Sequence, residues 1–201
     1  IPLGDWVLKQ ACCQLKTWQQ EGFEDLEIAV NLSARQLHHP TLVQDIKQVL
    51  TAFDLAPHHL ELEVTETAAL DNLEVSMSAL NQLRQLGTRL VMDDFGTGYS
   101  SLNYLKQLPF HGLKIDRSFV KDVPHDEQDI AMVKAVVAMG QALQLGLVAE
   151  GVETPEQMDF LRDLGCHQMQ GYWFSRPLDC HAMTAFLHGH WPRYNTDSQI
   201  A

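Results

Sequence analysis

The chain is short of cations, of cysteine and of long apolar runs, and each shortage excludes something. Lys and Arg number 14 against 26 Asp and Glu, a formal net charge of −12. Such a chain lacks the basic surface on which generic nucleic-acid or anionic-membrane binding relies, so DNA is not expected as a partner. An anionic ligand could still be held where metal ions supply the positive charge. The four cysteines are Cys12, Cys13, Cys166 and Cys180; two are adjacent and none forms a Cys-x-x-Cys pair. Neither a disulfide framework nor a zinc ribbon is expected, and a reduced, cytoplasmic setting is the simpler inference. No run approaches 18 consecutive apolar residues, so no membrane segment is expected in this chain. The first residues, Ile1-Pro2-Leu3-Gly4-Asp5, have no basic region of the signal-peptide kind. The chain opens without methionine on a helix approach and reads as an excised piece, whose parent could be membrane-anchored through upstream segments.

What is present is ordinary globular material: 201 residues, 45% apolar and 20% charged, enough for a single sizeable core. Residues 5–20 show helical spacing, with Trp6, Leu8, Ala11, Cys12, Leu15 and Trp18 assigned to one side. Six strand–helix units follow. Strands are expected at 26–33, 60–66, 88–94, 112–116, 147–153 and 167–171. The helices between and after them are expected at 39–53, 71–86, 100–107, 126–145, 155–165 and 179–188. Strict alternation argues for an α/β fold with a parallel sheet and helices packed outside it. With no linker to interrupt it, the chain reads as one domain over 1–190 and a polar, frayed tail over 191–201. Two architectures compete, an open doubly wound sheet and an incomplete (β/α)8 barrel. An intact barrel takes ~250 residues, so a barrel would lack about two strand–helix units, expected upstream of Ile1.

The chemistry gathers at the strand ends. In order these carry Asn31, Glu63 with Glu66, Asp93 with Asp94, Lys114 with Asp116, Glu150 with Glu153, and Gln170. Strand C-termini are where barrels and open α/β sheets build their sites. Carboxylates facing a common cavity cannot all stay charged without counter-ions, and oxygen-rich sets of this kind suit Mg²⁺ or Mn²⁺. A single carboxylate after a strand is usually a helix N-cap or a solvated loop residue. Asp94 or Thr97 could cap the helix near 100, and Thr154 the helix beginning at Pro155. Six such ends in succession, with an Asp-Asp pair and a strand-borne lysine, favour a metal site over caps alone. The two glycines of Asp93-Asp94-Phe95-Gly96-Thr97-Gly98 also allow a loop that closes over a ligand.

The series NLSARQL, ELEVTET, DDFGTGYSSL, LKIDRSFV, AEGVET and QGYWFSRP closely resembles the EAL domain family of cyclic di-GMP phosphodiesterases, from Ile1 to about Leu187. The resemblance implies a modified (β/α)8 TIM barrel of the EAL type with one antiparallel strand. It also implies hydrolysis of cyclic di-GMP to linear pGpG with two Mg²⁺ or Mn²⁺ ions. By resemblance, Asn31, Glu63 and Asp93 are ligands of the first metal, Asp93 is shared, Asp94 serves the second, and Glu150 also serves the metal centre. Lys114 resembles the lysine that holds the attacking water, which makes Lys114, Glu150 and Asp93 the catalytic group. Asp116 and Gln170 match positions around the second metal's waters and the substrate, with Glu153 as a supporting partner and Arg176 and Pro177 in the substrate-binding set. Glu66 resembles the glutamate that anchors the glycine loop, with Thr97 in that loop. The loop after Asp94 and the following helix resemble a homodimer surface, and sensory or GGDEF-type domains are possible upstream.

The family's Glu-Ala-Leu tripeptide and the arginine after it, a metal ligand and a substrate contact, are not spelled anywhere in 1–201. Turnover by this fragment is therefore expected to be impaired, with a non-catalytic cyclic di-GMP receptor as the alternative function and a dimerising scaffold as a weaker one. The family more often carries an acidic residue where Phe110-His111 stands. The histidine pairs His38-His39 and His58-His59 read as solvated loop residues. Met132, Met139 and Met158 read as core filling. Trp173 and Phe174 could stack on a guanine or simply pack.

Overall fold

The computed structural model describes residues 2–96 and 102–197. Thr97, Gly98 and the end of the tail lie outside the described residues. In chain order the elements are α1 (Pro2–Gln20), β1 (Ile28–Asn31), α2 (Ala34–Leu37), α3 (Leu42–Ala52), β2 (Leu60–Thr65), α4 (Glu66–Asp71), α5 (Leu73–Leu86) and β3 (Arg89–Phe95). There follow α6 (Leu102–Gln107), β4 (Gly112–Ile115), α7 (Arg117–Val120), α8 (Glu127–Ala142), β5 (Gly146–Ala149), α9 (Pro155–Asp163), β6 (Gln168–Met169) and α10 (Cys180–Asp197). All six strands are parallel and lie in sequence order, β1 to β6, each hydrogen-bonded to the next. A doubly wound sheet would reverse its strand order at a switch point, and this one does not. The sheet is a curled partial (β/α)8 barrel, and the antiparallel strand implied by the resemblance is not among the six described.

Side chains alternate across each strand, so register decides which residues share a face. Val30, Leu62, Val64, Leu90, Met92, Leu113, Ile115, Leu147 and Ala149 fall on one face and are all buried. That face meets the helices: Val30 and Leu62 line a small cavity with Leu8 of α1 and Ile46 of α3. The other face carries the polar residues. Asn31 pairs with Glu63 and Glu63 with Val91, two residues before Asp93. Val91 pairs with Gly112, two before Lys114, and Lys114 with Val148, two before Glu150. Val148 pairs with Gln168, two before Gln170. One face of the sheet thus carries Asn31, Glu63, Asp93, Lys114, Glu150 and Gln170, stepping along the strands from one to the next.

Several elements differ from expectation, each for a local reason. Trp6 is 59% exposed: at 100° per residue it stands about 180° around α1 from Leu15, which is buried. Ser33 ends β1 by capping α2 in a box with Gln36, and α3 begins only at Leu42, two residues after Pro40. The helix expected over 71–86 begins at Leu73, because Asn72 leaves helical geometry to cap Val75, with α4 before it. β5 stops at Ala149, and Gly151 turns the chain at φ +70°, where an added Cβ would collide with Arg117. The backbone of α10 runs as helix to Asp197 rather than 188. Met132 is 40% exposed, while Met139 and Met158 pack on the core. His38 and His59 are half-buried and bonded, to the Ser76 hydroxyl and the Leu26 carbonyl, rather than solvated. No described helix is long and apolar enough to cross a membrane.

Candidate functional site

β4 contributes a lysine in a position where a strand would ordinarily carry an apolar residue. Lys114 is buried, and its Nζ lies 2.9 Å from Glu63 on β2, 3.5 Å from Asp93 on β3 and 2.6 Å from Glu150 just beyond β5. Burial by itself would lower the lysine pKa, but the hydrogen bonds and charges of Glu150 and Glu63 outweigh it and raise it, so the ammonium stays charged. One ammonium cannot satisfy three carboxylates equally. Glu150 has its pKa raised, first by burial and further by Asp93 and Glu63, against the opposing pull of Lys114. Asp94 is raised too, by burial first and then by the negative charges of Asp93 and Asp116.

Asp94 has a left-handed backbone (φ 55°), and its amide donates to Asp93 Oδ1 at 3.0 Å. That fixes the second aspartate at an angle to the first, where β3 and β4 also shift register. Asp116 carries the N-cap of α7, its Oδ1 accepting the Ser118 amide at 2.9 Å. For this residue the ordinary capping account holds for one oxygen. Thr154 likewise caps α9 in a box with Gln157.

Strand register puts Asn31, Glu63, Asp93, Lys114, Glu150 and Gln170 on one sheet face, but it does not bring all of them into contact. Glu63, Asp93, Lys114 and Glu150 touch as a cluster. Asn31 and Gln170 are exposed at the two edges of the sheet. Glu153 pairs with the Arg117 guanidinium at 2.7 Å, Arg176 lies over the Tyr172 ring at 5.3 Å, and Pro177 is exposed. Glu66 is buried and its Oε2 accepts the Gly96 amide at 3.3 Å. Thr97, expected in the same loop, is outside the described residues. Of the cysteines, Cys12 and Cys166 are buried, with thiols pushed up to about 11 by burial, and Cys13 and Cys180 are exposed.

Two residues escaped the sequence reading. Gln157 is buried, its amide nitrogen donating to the carbonyls of Val120 (3.1 Å) and Lys121 (2.9 Å). Its carbonyl oxygen accepts the amides of Glu153 (2.7 Å) and Thr154 (3.1 Å). It therefore ties the segment after Asp116 to the turn after Glu150. The Thr-x-x-Gln pattern of a capping box was its available signal. Gly171, after β6, is packed so tightly that a Cβ there would meet the Val152 backbone.

All the donors in the cluster are hard oxygens, the set that suits Mg²⁺ or Mn²⁺ rather than a soft metal. Glu63, Asp93, Asp94, Asp116 and Glu150 against Lys114 leave four negative charges, which two divalent cations would cancel. The residues fit such ions in chemistry and in charge. Among the described residues, however, no three acidic or imidazole groups stand close enough together to enclose an ion; the carboxylates are spread around the ammonium instead.

The EAL domain model matches residues 1–177. The bifunctional diguanylate cyclase/cyclic di-GMP phosphodiesterase MucR of Pseudomonas aeruginosa is 47% identical over 185 residues, 92% of this chain and 27% of that protein. The cyclic di-GMP phosphodiesterase NbdA of the same organism is 48% identical over 185 residues, 92% of this chain and 24% of that protein. The chain thus spans about a quarter of the length of these curated relatives. In structure it resembles the MucR phosphodiesterase in its c-di-GMP complex, with a TM-score of 0.87, 47% identity, and coverage of 90% of this chain and 74% of that one. It also resembles the EAL domain of Mycobacterium smegmatis DcpA, with a TM-score of 0.89, 36% identity, and coverage of 94% and 84%. With the family model spanning most of its length, the chain belongs to the EAL domain family.

Proposed function

We propose that these residues belong to a phosphodiesterase that hydrolyses cyclic di-GMP to linear pGpG with two divalent cations. The observation that carries this reading is the buried cluster of Lys114 with Glu63, Asp93 and Glu150, in a family whose named relatives include cyclic di-GMP phosphodiesterases. Asn31, Glu63, Asp93, Asp94 and Glu150 would hold the ions, with Asp116 beside the second. When bound, Mg²⁺ or Mn²⁺ supplies the positive charge a phosphodiester needs and makes the attacking water more acidic.

The chain's own groups do the rest. Lys114, held protonated by its neighbours, offers an N–H to the attacking water or to a phosphate oxygen and offsets charge gathering there. Glu150, hydrogen-bonded to that ammonium at 2.6 Å, completes the catalytic group with Lys114 and Asp93. Gln170, Glu153, Arg176 and Pro177 would line the substrate's path. Glu66 holds Gly96, three residues after Asp93, and would anchor the glycine loop that begins there. A homodimer through that loop and α6, and further domains beyond those described, belong to the same proposal.

Among the described residues β1 pairs only with β2, and Asn31 on it is exposed; turnover by residues 1–201 alone is accordingly proposed to be weak. The test is to incubate the chain with cyclic di-GMP and Mn²⁺ and look for pGpG. Product that disappears in Asp93→Asn supports the enzyme. Nucleotide bound at equilibrium with no product supports the receptor alternative, and neither binding nor product rejects both.

A further inference from the structure

We propose that Lys114 is a built-in counter-ion that holds Glu63, Asp93 and Glu150 together before a metal arrives, and that a divalent cation enters by displacing its ammonium from Glu63 and Asp93. This rests on the metal-site reading above and extends it to the state that precedes metal binding.

Three observations converge. The ammonium reaches carboxylates from three neighbouring segments, at 2.9, 3.5 and 2.6 Å, so it is the centre around which they are arranged. Glu63 and Asp93 are buried, and buried carboxylates left without a partner are strongly destabilising. The described carboxylates do not converge tightly enough to enclose an ion. Around the ammonium the carboxylate oxygens stand at 2.6–3.5 Å, whereas Mg²⁺ demands oxygens at about 2.0–2.1 Å. An ion entering the volume that Nζ holds must draw in the Glu63 oxygen by roughly 0.8 Å and the Asp93 oxygen by roughly 1.4 Å.

The charges allow the exchange. Three carboxylates and one ammonium leave two negative charges, which one divalent cation cancels while the lysine stays protonated. Lys114 therefore need not lose its proton or leave the site. Glu150 is its shortest contact and the one it would keep, and a flexible four-carbon stem lets the head group move without the strand.

The test uses Mn²⁺ alone, on the chain as it is and on Lys114→Met, which keeps the stem and removes the charge. Metal-free Lys114→Met should melt lower than the parent chain, and its Mn²⁺ affinity, measured by titration calorimetry on protein verified as folded by circular dichroism, should be about tenfold tighter. Val64→Ala, a core variant on the opposite sheet face, should melt lower with unchanged Mn²⁺ affinity. A folded Lys114→Met chain that binds Mn²⁺ no more tightly than the parent overturns the inference while leaving the metal site standing. No Mn²⁺ binding by either folded chain overturns both. Should Lys114→Met fail to fold, ¹⁵N-labelled lysine in the parent chain decides the matter. Its Lys114 ammonium resonance should be protected without metal and shift at Mg²⁺ saturation; an unmoved resonance at saturation rejects the displacement.

Discussion

Glu66, on the first turn after β2, accepts the amide of Gly96 at the end of β3 through Oε2 at 3.3 Å. Thr65 makes this possible by capping α4 through the Ala68 amide, which sets Glu66 at the helix start. A buried carboxylate thereby tethers the end of one strand to the helix that follows another. Removing it in Glu66→Ala should cost about 1–3 kcal/mol and accelerate amide hydrogen exchange at Gly96. Glu66→Gln retains an acceptor and should leave that exchange nearly unchanged. Equal protection of Gly96 in both variants would mean the tether holds nothing.

Gln157 makes four hydrogen bonds from a buried position, two from its nitrogen and two to its oxygen. Gln157→Ala leaves two carbonyls and two amides to find other partners, for a loss of about 3 kcal/mol. At roughly 2–4 °C per kcal/mol for a chain of this size, the melting temperature should drop by about 6–12 °C. Gln157→Glu keeps the acceptor and loses the donor, so a melting point between those of the parent and Gln157→Ala is expected in calorimetry.

His111 accepts the Leu90 amide through Nδ1 at 3.0 Å. Its pKa is lowered from the ordinary 6.5, by burial first and then by the guanidinium groups of Arg84 and Arg89. The folded state therefore favours the neutral ring. The stability this contributes is fully present above the unfolded value of about 6.5 and is lost as pH falls through the lower folded value. The resistance of the parent chain to urea should fall on going below pH 6.5 by more than that of His111→Asn, whose side-chain oxygen accepts the same amide without titrating. Parallel pH profiles for the two chains would exclude this role.

Asp93 stands between the Asp94 amide and the Lys114 ammonium. If the proposed hydrolysis is right, Asp93→Asn should reduce pGpG formation at least about 100-fold while leaving secondary structure intact. Glu150→Gln should act in the same direction. Near-parent turnover by Asp93→Asn, followed by chromatography of the nucleotide products, would remove Asp93 from the site.

Much of this was legible from local pattern alone. The alternation of periods two and 3.6 marks the strands and helices. Each strand carries a polar site candidate within two positions of its C-terminal end, where the apolar run gives way. Glu63, Asp93, Lys114 and Glu150 are visible in that way, and the Thr154 cap with them. Apolarity alone places Trp6 with Leu8, but helical spacing sets the two about 160° apart, and Trp6 is exposed. Gln157 looked like an ordinary helix residue, since its four partners include two carbonyls more than 30 positions earlier.

By itself the sequence determined the order of the six strand–helix units, the Thr154 cap and the polar residues gathered near the strand ends, since these depend on backbone preferences and neighbours a few positions away. Only the tertiary structure decided that the strands lie in sequence order in one curled sheet, and that Lys114 faces Glu63, Asp93 and Glu150 together. Those contacts join residues 21 to 51 positions apart. They depend on strand register, and a slip of one residue would turn every one of these side chains to the opposite face.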